Sequence, residues 1–474
     1  MNACALKRVS KLIVGAITIL GLASCATEGP QGADLSAGVA SRQQILPTDL
    51  PPMKAFASSR IEPSTRPNSQ VAGDFLDLAF DLESGRSLPV LSRFEGPVTL
   101  AVRGPASAAT EADLDRLMSR LRDEAGIDIR RATGTGGGAA PASITVEVIR
   151  KQELQRLVPH AACFVAPNVS SWDEYRLSRR TAKTDWTRLT TRERMAVFLP
   201  GDVSPQEIRD CLHEEIAQAL GPVNDLYRLP DSVFNDDNFH TVLTGFDMLI
   251  LRAYYAPELA SGMTREEVAA RLPALLARLN PAGGTGAPNP RTTTPVAWKD
   301  SIETALSGGG TSAARREAAL RAVDLARSYQ WDDTRLAFSL FALGRLQLGV
   351  NSDIALAAFR EAEAIYEAEP ATRLQAAHMG VQLAAHALSM GNAETAIRIT
   401  DSHLPAVMHA ENAALLATLL MIKAEALDIQ GRDAEAQLVR LDSLGWARYG
   451  FGSDAEVEAR LHEIAAIAPG HHRS

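Results

Sequence analysis

The chain has 474 residues, 46% hydrophobic and 22% charged, which is globular composition at about three domains' worth of length. Lys and Arg total 48 against 57 Asp and Glu, a formal net charge of -9, so no large basic field is available to hold a phosphate backbone and nucleic acid is not an expected partner. Beyond the N-terminal segment no apolar run reaches the roughly 20 residues that cross a bilayer, which excludes a polytopic membrane protein.

At the N-terminus Lys7, Arg8 and Lys11 form a basic region ahead of an apolar run over residues 12–22, the pattern of a secretory signal peptide over residues 1–24. The run closes on Leu22-Ala23-Ser24-Cys25, which resembles the lipobox of bacterial lipoproteins, where small residues precede a thiol that is diacylated before cleavage. The resemblance implies that Cys25 is the lipid-bearing first residue of the mature chain, and two or three acyl chains exceed the marginal anchoring of one. Ala26 stands where many inner-membrane lipoproteins carry aspartate, so the expected location is the cell envelope, at the outer membrane and facing the periplasm. Cys4 leaves with the signal, so Cys163 and Cys211 remain in an oxidising compartment. A disulfide closing 48 residues is the simplest outcome; two buried free thiols are the alternative.

Residues 25–70 are rich in Gly, Ser, Pro and Gln without an apolar period and read as a flexible tether. Val98, Leu100 and Val102 then alternate as a strand. Thr110 with Asp113 predicts the cap of a helix carrying Leu114, Leu117, Met118 and Leu121. Ile127 and Ile129 predict a short strand. The glycine tract at 134–138 has no strand directly before it and no helix directly after it, so it reads as a loop and not a phosphate cradle. Ile144, Val146 and Val148 alternate again, and residues 195–199 form a compact apolar strand. The order is β, α, β, β, β. Ser204-Pro205-Gln206-Glu207 is a capping box with proline at the first helical position, and Gly221-Pro222 ends the helix it opens.

Chemistry concentrates on that helix. Glu214 and Gln218 are four apart and Asn224 follows a glycine turn, so the three can converge while Glu215 points beside them. No G-x-S-x-G, phosphate loop or Cys-x-x-Cys is present. The stretch Glu214-Glu215-Ile-Ala-Gln218-Ala-Leu-Gly221-Pro-Val-Asn224-Asp225 resembles the extended zinc-protease signature of the metzincins, H-E-x-x-H-x-x-G-x-x-H followed by Asp. The resemblance places Glu215 as candidate general base, and Glu214, Gln218 and Asn224 where that family has its three histidine ligands. Glu, Gln and Asn offer oxygen donors, so ordinary zinc affinity is not expected and a hard divalent cation is the ion such a set would take. Shifting the register to His213-Glu214 puts Ala217 at the second ligand and fails. His240, in Phe234-Asn-Asp-Asp-Asn-Phe-His240, reads as an ordinary loop histidine, since neither a late ligand nor a calcium loop has this spacing. The stretch 211–263 also resembles a family of proteobacterial lipoproteins carrying a domain of unknown function, domain 2927, over about residues 97–263. The Glu-Glu-x-x-Gln-x-x-Gly-x-x-Asn-Asp form is usual there, and no activity comes with it.

A Pro/Gly-rich linker at 280–311 precedes an alanine-rich helical block at 312–469. Gly349, Gly391 and Gly431 recur 42 and 40 residues apart, each ahead of alanines, which predicts helix-pair repeats. The segment from Ala357 to Pro370 resembles the second helix of a tetratricopeptide repeat, although the period exceeds the usual ~34. The expected fold class is therefore an α+β zincin-like domain over 71–279 followed by an all-α helix-pair solenoid. The expected function is an envelope lipoprotein that recognises envelope peptides or proteins and, through Glu215, hydrolyses them. The competing expectation is a non-catalytic scaffold recruiting partners through its repeats.

Overall fold

The computed structural model describes residues 50–56, 63–132, 142–159, 161–284, 294–307 and 309–469. Cys4, Cys25, the lipobox and the glycine tract at 134–138 lie outside these residues. No helix among them is long and apolar enough to cross a membrane.

The first region runs α1 (Asn68–Phe80), β1 (Val98–Arg103), α2 (Ala108–Ala125), β2 (Ile129–Arg131), β3 (Ile144–Ile149), α3 (Lys151–Leu157), β4 (Phe164–Pro167), α4 (Trp172–Ser178), β5 (Met195–Pro200), α5 (Pro205–Leu220), α6 (Gly245–Tyr254) and α7 (Arg265–Leu279). Its strands form one sheet in the order β2-β1-β3-β5-β4. β1 is parallel to β2 and β3, β3 is parallel to β5, and β4 alone is antiparallel, with Phe164 opposite Phe198. Most of the sheet is parallel, with α2 between β1 and β2 and α3 and α4 between β3 and β5, so the region is α/β where the strand order had suggested α+β. Period two sorts β5 between two cores: Met195, Val197 and Leu199 face the side of α2 and α5, while Ala196 and Phe198 join Leu154, Phe164 and Trp172 on the other. β4 was not anticipated because its four residues are all buried and show no alternation.

Ser107, and not Thr110, caps α2, accepting the Thr110 backbone N–H at 3.1 Å. Ser204 caps α5 as expected, accepting from the Glu207 N–H at 3.1 Å, with Pro205 at the first turn. The Glu207 carboxylate turns instead to Lys151 at 3.4 Å. Cys163, just ahead of β4, and Cys211 on α5 form a disulfide.

The second region is all helical: α8 (Val296–Leu306), α9 (Ser312–Ser328), α10 (Thr334–Gln347), α11 (Ser352–Glu367), α12 (Arg373–Ser389), α13 (Ala393–His409), α14 (Ala413–Ile429), α15 (Asp433–Phe451) and α16 (Asp454–Ala465). Gly349, Gly391 and Gly431 sit at the turns inside the pairs α10/α11, α12/α13 and α14/α15 with φ of 76°, 70° and 72°, a left-handed backbone that glycine adopts without a Cβ penalty. The region starts inside the expected 280–311 linker. Trp298, Ile302 and Ala305 give α8 an apolar stripe, and the Trp298 indole donates to Ser339 Oγ at 2.9 Å.

The two regions share an interface built from named pairs. Gln206 donates to Asn412 Oδ1 at 3.1 Å and accepts from the Ala414 N–H at 2.9 Å, and the Tyr449 hydroxyl donates to Asp113 at 2.7 Å. Residues 50–56, expected to belong to the tether, instead pack here: the Lys54 N–H donates to Gly445 O at 2.9 Å and Phe56 stacks on Trp446 at 4.5 Å. A Phe ring and a matched indole outweigh the polar composition that suggested a tether.

Candidate active site on α5

The helix that carries the motif is held at both ends. Its last carbonyls, which have no partner within the helix, receive the fully buried Arg192: Nη1 donates to Gln218 O at 2.5 Å and Ala219 O at 2.8 Å, and Nη2 to Gly221 O at 2.5 Å. A guanidinium here also meets the negative end of the helix dipole. Gly221 is required by close approach, since a Cβ would lie 2.9 Å from the Tyr254 ring. Arg192 lies outside the motif, 22 residues before Glu214, and only the folded chain brings it under the helix.

After Gly221 the chain is pinned to α1. The Val223 N–H donates to Leu78 O at 3.0 Å, the Asn224 amide to Asp77 O at 2.9 Å, and Arg228 to the buried Asp74 at 2.8 Å and to Asp77 at 2.8 Å. The loop then folds on its own polar groups: Asn235 donates to Leu229 O at 2.8 Å, Asp237 accepts from the Phe239 N–H at 3.1 Å, and Asp247 accepts from the Val233 and Thr244 N–H groups at 3.1 and 2.8 Å. Thr244 and Asp247 complete the capping box of α6.

Within this frame Glu215, Gln218 and Asn224 are 4%, 8% and 5% exposed. Gln218 donates to Asp225 Oδ2 at 3.4 Å. Asn224, committed to Asp77 O, is not seen to share a partner with Glu214 or Gln218. What acts on Glu214 is the charge of carboxyls on other turns and segments. Burial, then Glu215, Glu83, Asp236 and Asp210, hold Glu214 well above the usual carboxylate range. Burial, then Glu83, Asp236 and Glu214, do the same to Asp225, and burial with Glu83 to Asp236 against the attraction of Lys299. The Asp225 Oδ1 atom is buried without a hydrogen-bond partner among the described residues. Burial also pushes Asp237 up to about 8 and Asp247 to about 6. Glu83 and Asp236 were missed by the motif; the run Asn235-Asp-Asp-Asn238 was the one visible signal.

Zinc bonds of about 2.0–2.2 Å need ligand atoms roughly 3.3–3.6 Å apart. Among the described residues no three His, Cys, Asp or Glu of the α5 region bring ligand atoms within 4.8 Å of one another. With an oxygen-only donor set as well, the site as arranged does not fit a zinc ion. His213 serves elsewhere: its Nδ1 accepts from the Leu243 N–H at 3.2 Å, and burial with Arg120, Arg209 and Arg116 holds it neutral, well below the usual histidine range.

His378 packs on an aromatic ring, and His240 lies buried near Asp231, which attracts its charged form. His378 meets the Phe239 ring edge-on at 4.7 Å, and both histidines bury an Nε2 without a hydrogen-bond partner among the described residues. Burial, with the Arg345 and His240 charges, lowers His378 to about 3, and burial lowers His240 to about 4. The folded protein therefore takes up protons here less readily than the unfolded chain, whose histidines titrate near 6.5. This part of the stability is complete above about pH 6.5 and is lost as the pH falls toward about 4 and 3. His378→Phe is expected to gain stability relative to wild type progressively as pH drops from 7.5 to 5, read as the difference between urea midpoints; a constant difference would refute it.

The loop's aromatics enter the helical region. Tyr227 lies edge-on to Trp298 at 5.0 Å, and Phe239 packs on Phe341 at 5.4 Å. Lys299 of α8, in the second region, attracts the charged form of Asp236.

No curated protein and no solved structure matches the chain. Residues 68–274, from the first residue of α1 into α7, match the model of a family described as a protein of unknown function (DUF2927).

Proposed function

We propose that the chain is a lipid-anchored protein of the bacterial envelope whose first region, zincin-like in fold, recognises envelope peptides or proteins and hydrolyses them with Glu215 as general base. In this reading the helix pairs are tetratricopeptide-like and carry the partner surface. The observation that carries it is the buried carboxyl group around α5, where Glu214 and Asp225 are biased toward the protonated form beside Glu215. A carboxyl biased toward its protonated form beside one that stays ionised is how a site holds an acid and a base together near neutral pH. The register of Glu215, the turn at Gly221 and the strand order ahead of α5 support the zincin-like assignment.

A second reading, a non-catalytic scaffold recruiting partners through the repeats, is favoured by the burial of Glu215, Gln218 and Asn224 and by Tyr227 and Phe239 lying under the second region. The deciding experiment is cleavage of envelope peptide libraries by wild type and Glu215→Gln, with and without added Zn, Mn and Ca. Cleavage that the substitution removes supports the hydrolase, and no cleavage under any condition supports the scaffold. The lipid anchor has its own test: Cys25→Ala is expected to abolish acyl labelling and release the protein from membranes, and retention of both would overturn it.

A further inference from the structure

Away from α5, the helical region brings together a second set of ligand-type side chains. Glu363 and Glu367 are four residues apart on α11, so their carboxylates share one helix face. His403 projects from α13, which belongs to the next helix pair. The ligand atoms of the three all lie within 4.8 Å of one another, and they are the one group of three or more His, Cys, Asp or Glu with that spacing among the described residues.

Two details set this group apart from a chance surface cluster. The His403 ring is 5% exposed and lies directly on the backbone of α12, where a Cβ at Gly380 would come 2.2 Å from its Cδ2 and 2.3 Å from its Nε2. Glycine at 380 thus makes the space in which the ring is fixed with Nε2 toward α11. The Nε2 to Glu363 Oε1 separation is 3.4 Å, long for a charge-assisted hydrogen bond, which closes to about 2.7–2.9 Å. It matches the roughly 3.3–3.6 Å edge between two ligands of one tetrahedral zinc ion. Glu367 makes no hydrogen bond or ion pair with the described residues and stands on the exposed rim.

We propose that Glu363, Glu367 and His403 form a binding site for a divalent transition-metal ion of the zinc class, with water completing the shell on the exposed side. One imidazole and two carboxylates are a borderline donor set that suits zinc or cobalt better than calcium or magnesium. The ion would tie α11 to α13 and so join two successive helix pairs. The site is independent of the reading of α5.

The test is cobalt and zinc binding to the untagged full chain in detergent, in a His471→Ala/His472→Ala background so that the terminal histidine pair cannot supply ligands. One equivalent of Co(II) with visible d–d absorption is expected, displaced by Zn(II). His403→Ala should abolish that spectrum. Glu367→Gln, on the rim where folding is undisturbed, should weaken binding at least about 10-fold, a loss that even outer-shell partners of a metal site produce. Glu215→Gln should leave binding unchanged. Absence of Co(II) binding in wild type, or binding unaltered by Glu367→Gln in folded protein, would overturn the proposal.

Discussion

Glu215→Gln is expected to lower peptide-hydrolysing turnover by about 10²- to 10⁴-fold, the contribution of a positioned general base. The amide keeps the shape of the carboxyl, so a side chain that is 4% exposed leaves no cavity when exchanged. What it loses is the ability to take a proton. The helix around it is held by the Ser204 cap and by Arg192 on its last carbonyls, so circular dichroism and thermal midpoint should stay near wild type while turnover falls. Vigorous activity untouched by the substitution would mean that the register of the motif, and with it the assignment of Glu214 and Gln218, is wrong.

Removing the Cys163–Cys211 bond is expected to cost about 4 kcal/mol, the chain-entropy value for a closed loop of this length. That is roughly a thousandfold change in the folding equilibrium. The bond spans 48 residues and joins the start of the antiparallel edge strand to the middle of α5, with both residues buried at 2% and 1% exposure. The double variant Cys163→Ala/Cys211→Ala avoids stranding a single thiol, and its urea midpoint should fall well below that of the oxidised wild type. Dithiothreitol should lower the wild-type midpoint toward the variant and leave the variant unmoved. Two alkylatable thiols in the non-reduced mature protein would remove the basis of the prediction.

Part of the site was legible because it rests on local chemistry. Ser204 and Pro205 begin a helix and Gly221 ends it by rules that operate over a few residues, so α5 is where its sequence places it. Two of the groups acting on Glu214 were not legible, because Glu83 and Asp236 come from other segments and no spacing relates them to the motif. Asn224 illustrates the difference. Its position after the glycine turn suggested a third ligand, yet an amide offers a donor as readily as an acceptor, and the Asp77 carbonyl of α1 takes that donor.

By itself the sequence determined which stretches are strands or helices where apolar period and caps agree, as in β1, β3, β5, α5 and the helix pairs hinged on Gly349, Gly391 and Gly431. It also determined that Cys163 and Cys211 are the two cysteines beyond residue 25. Only the tertiary structure decided that residues 50–56 pack on α15, that α8 belongs to the helical region, and that Tyr227 and Phe239 sit under it. These outcomes depend on aromatic rings meeting partners a hundred or more residues away, Phe56 on Trp446 and Phe239 on Phe341. Burial of such surface stabilises by area and not by sequence spacing, so no local pattern could announce it.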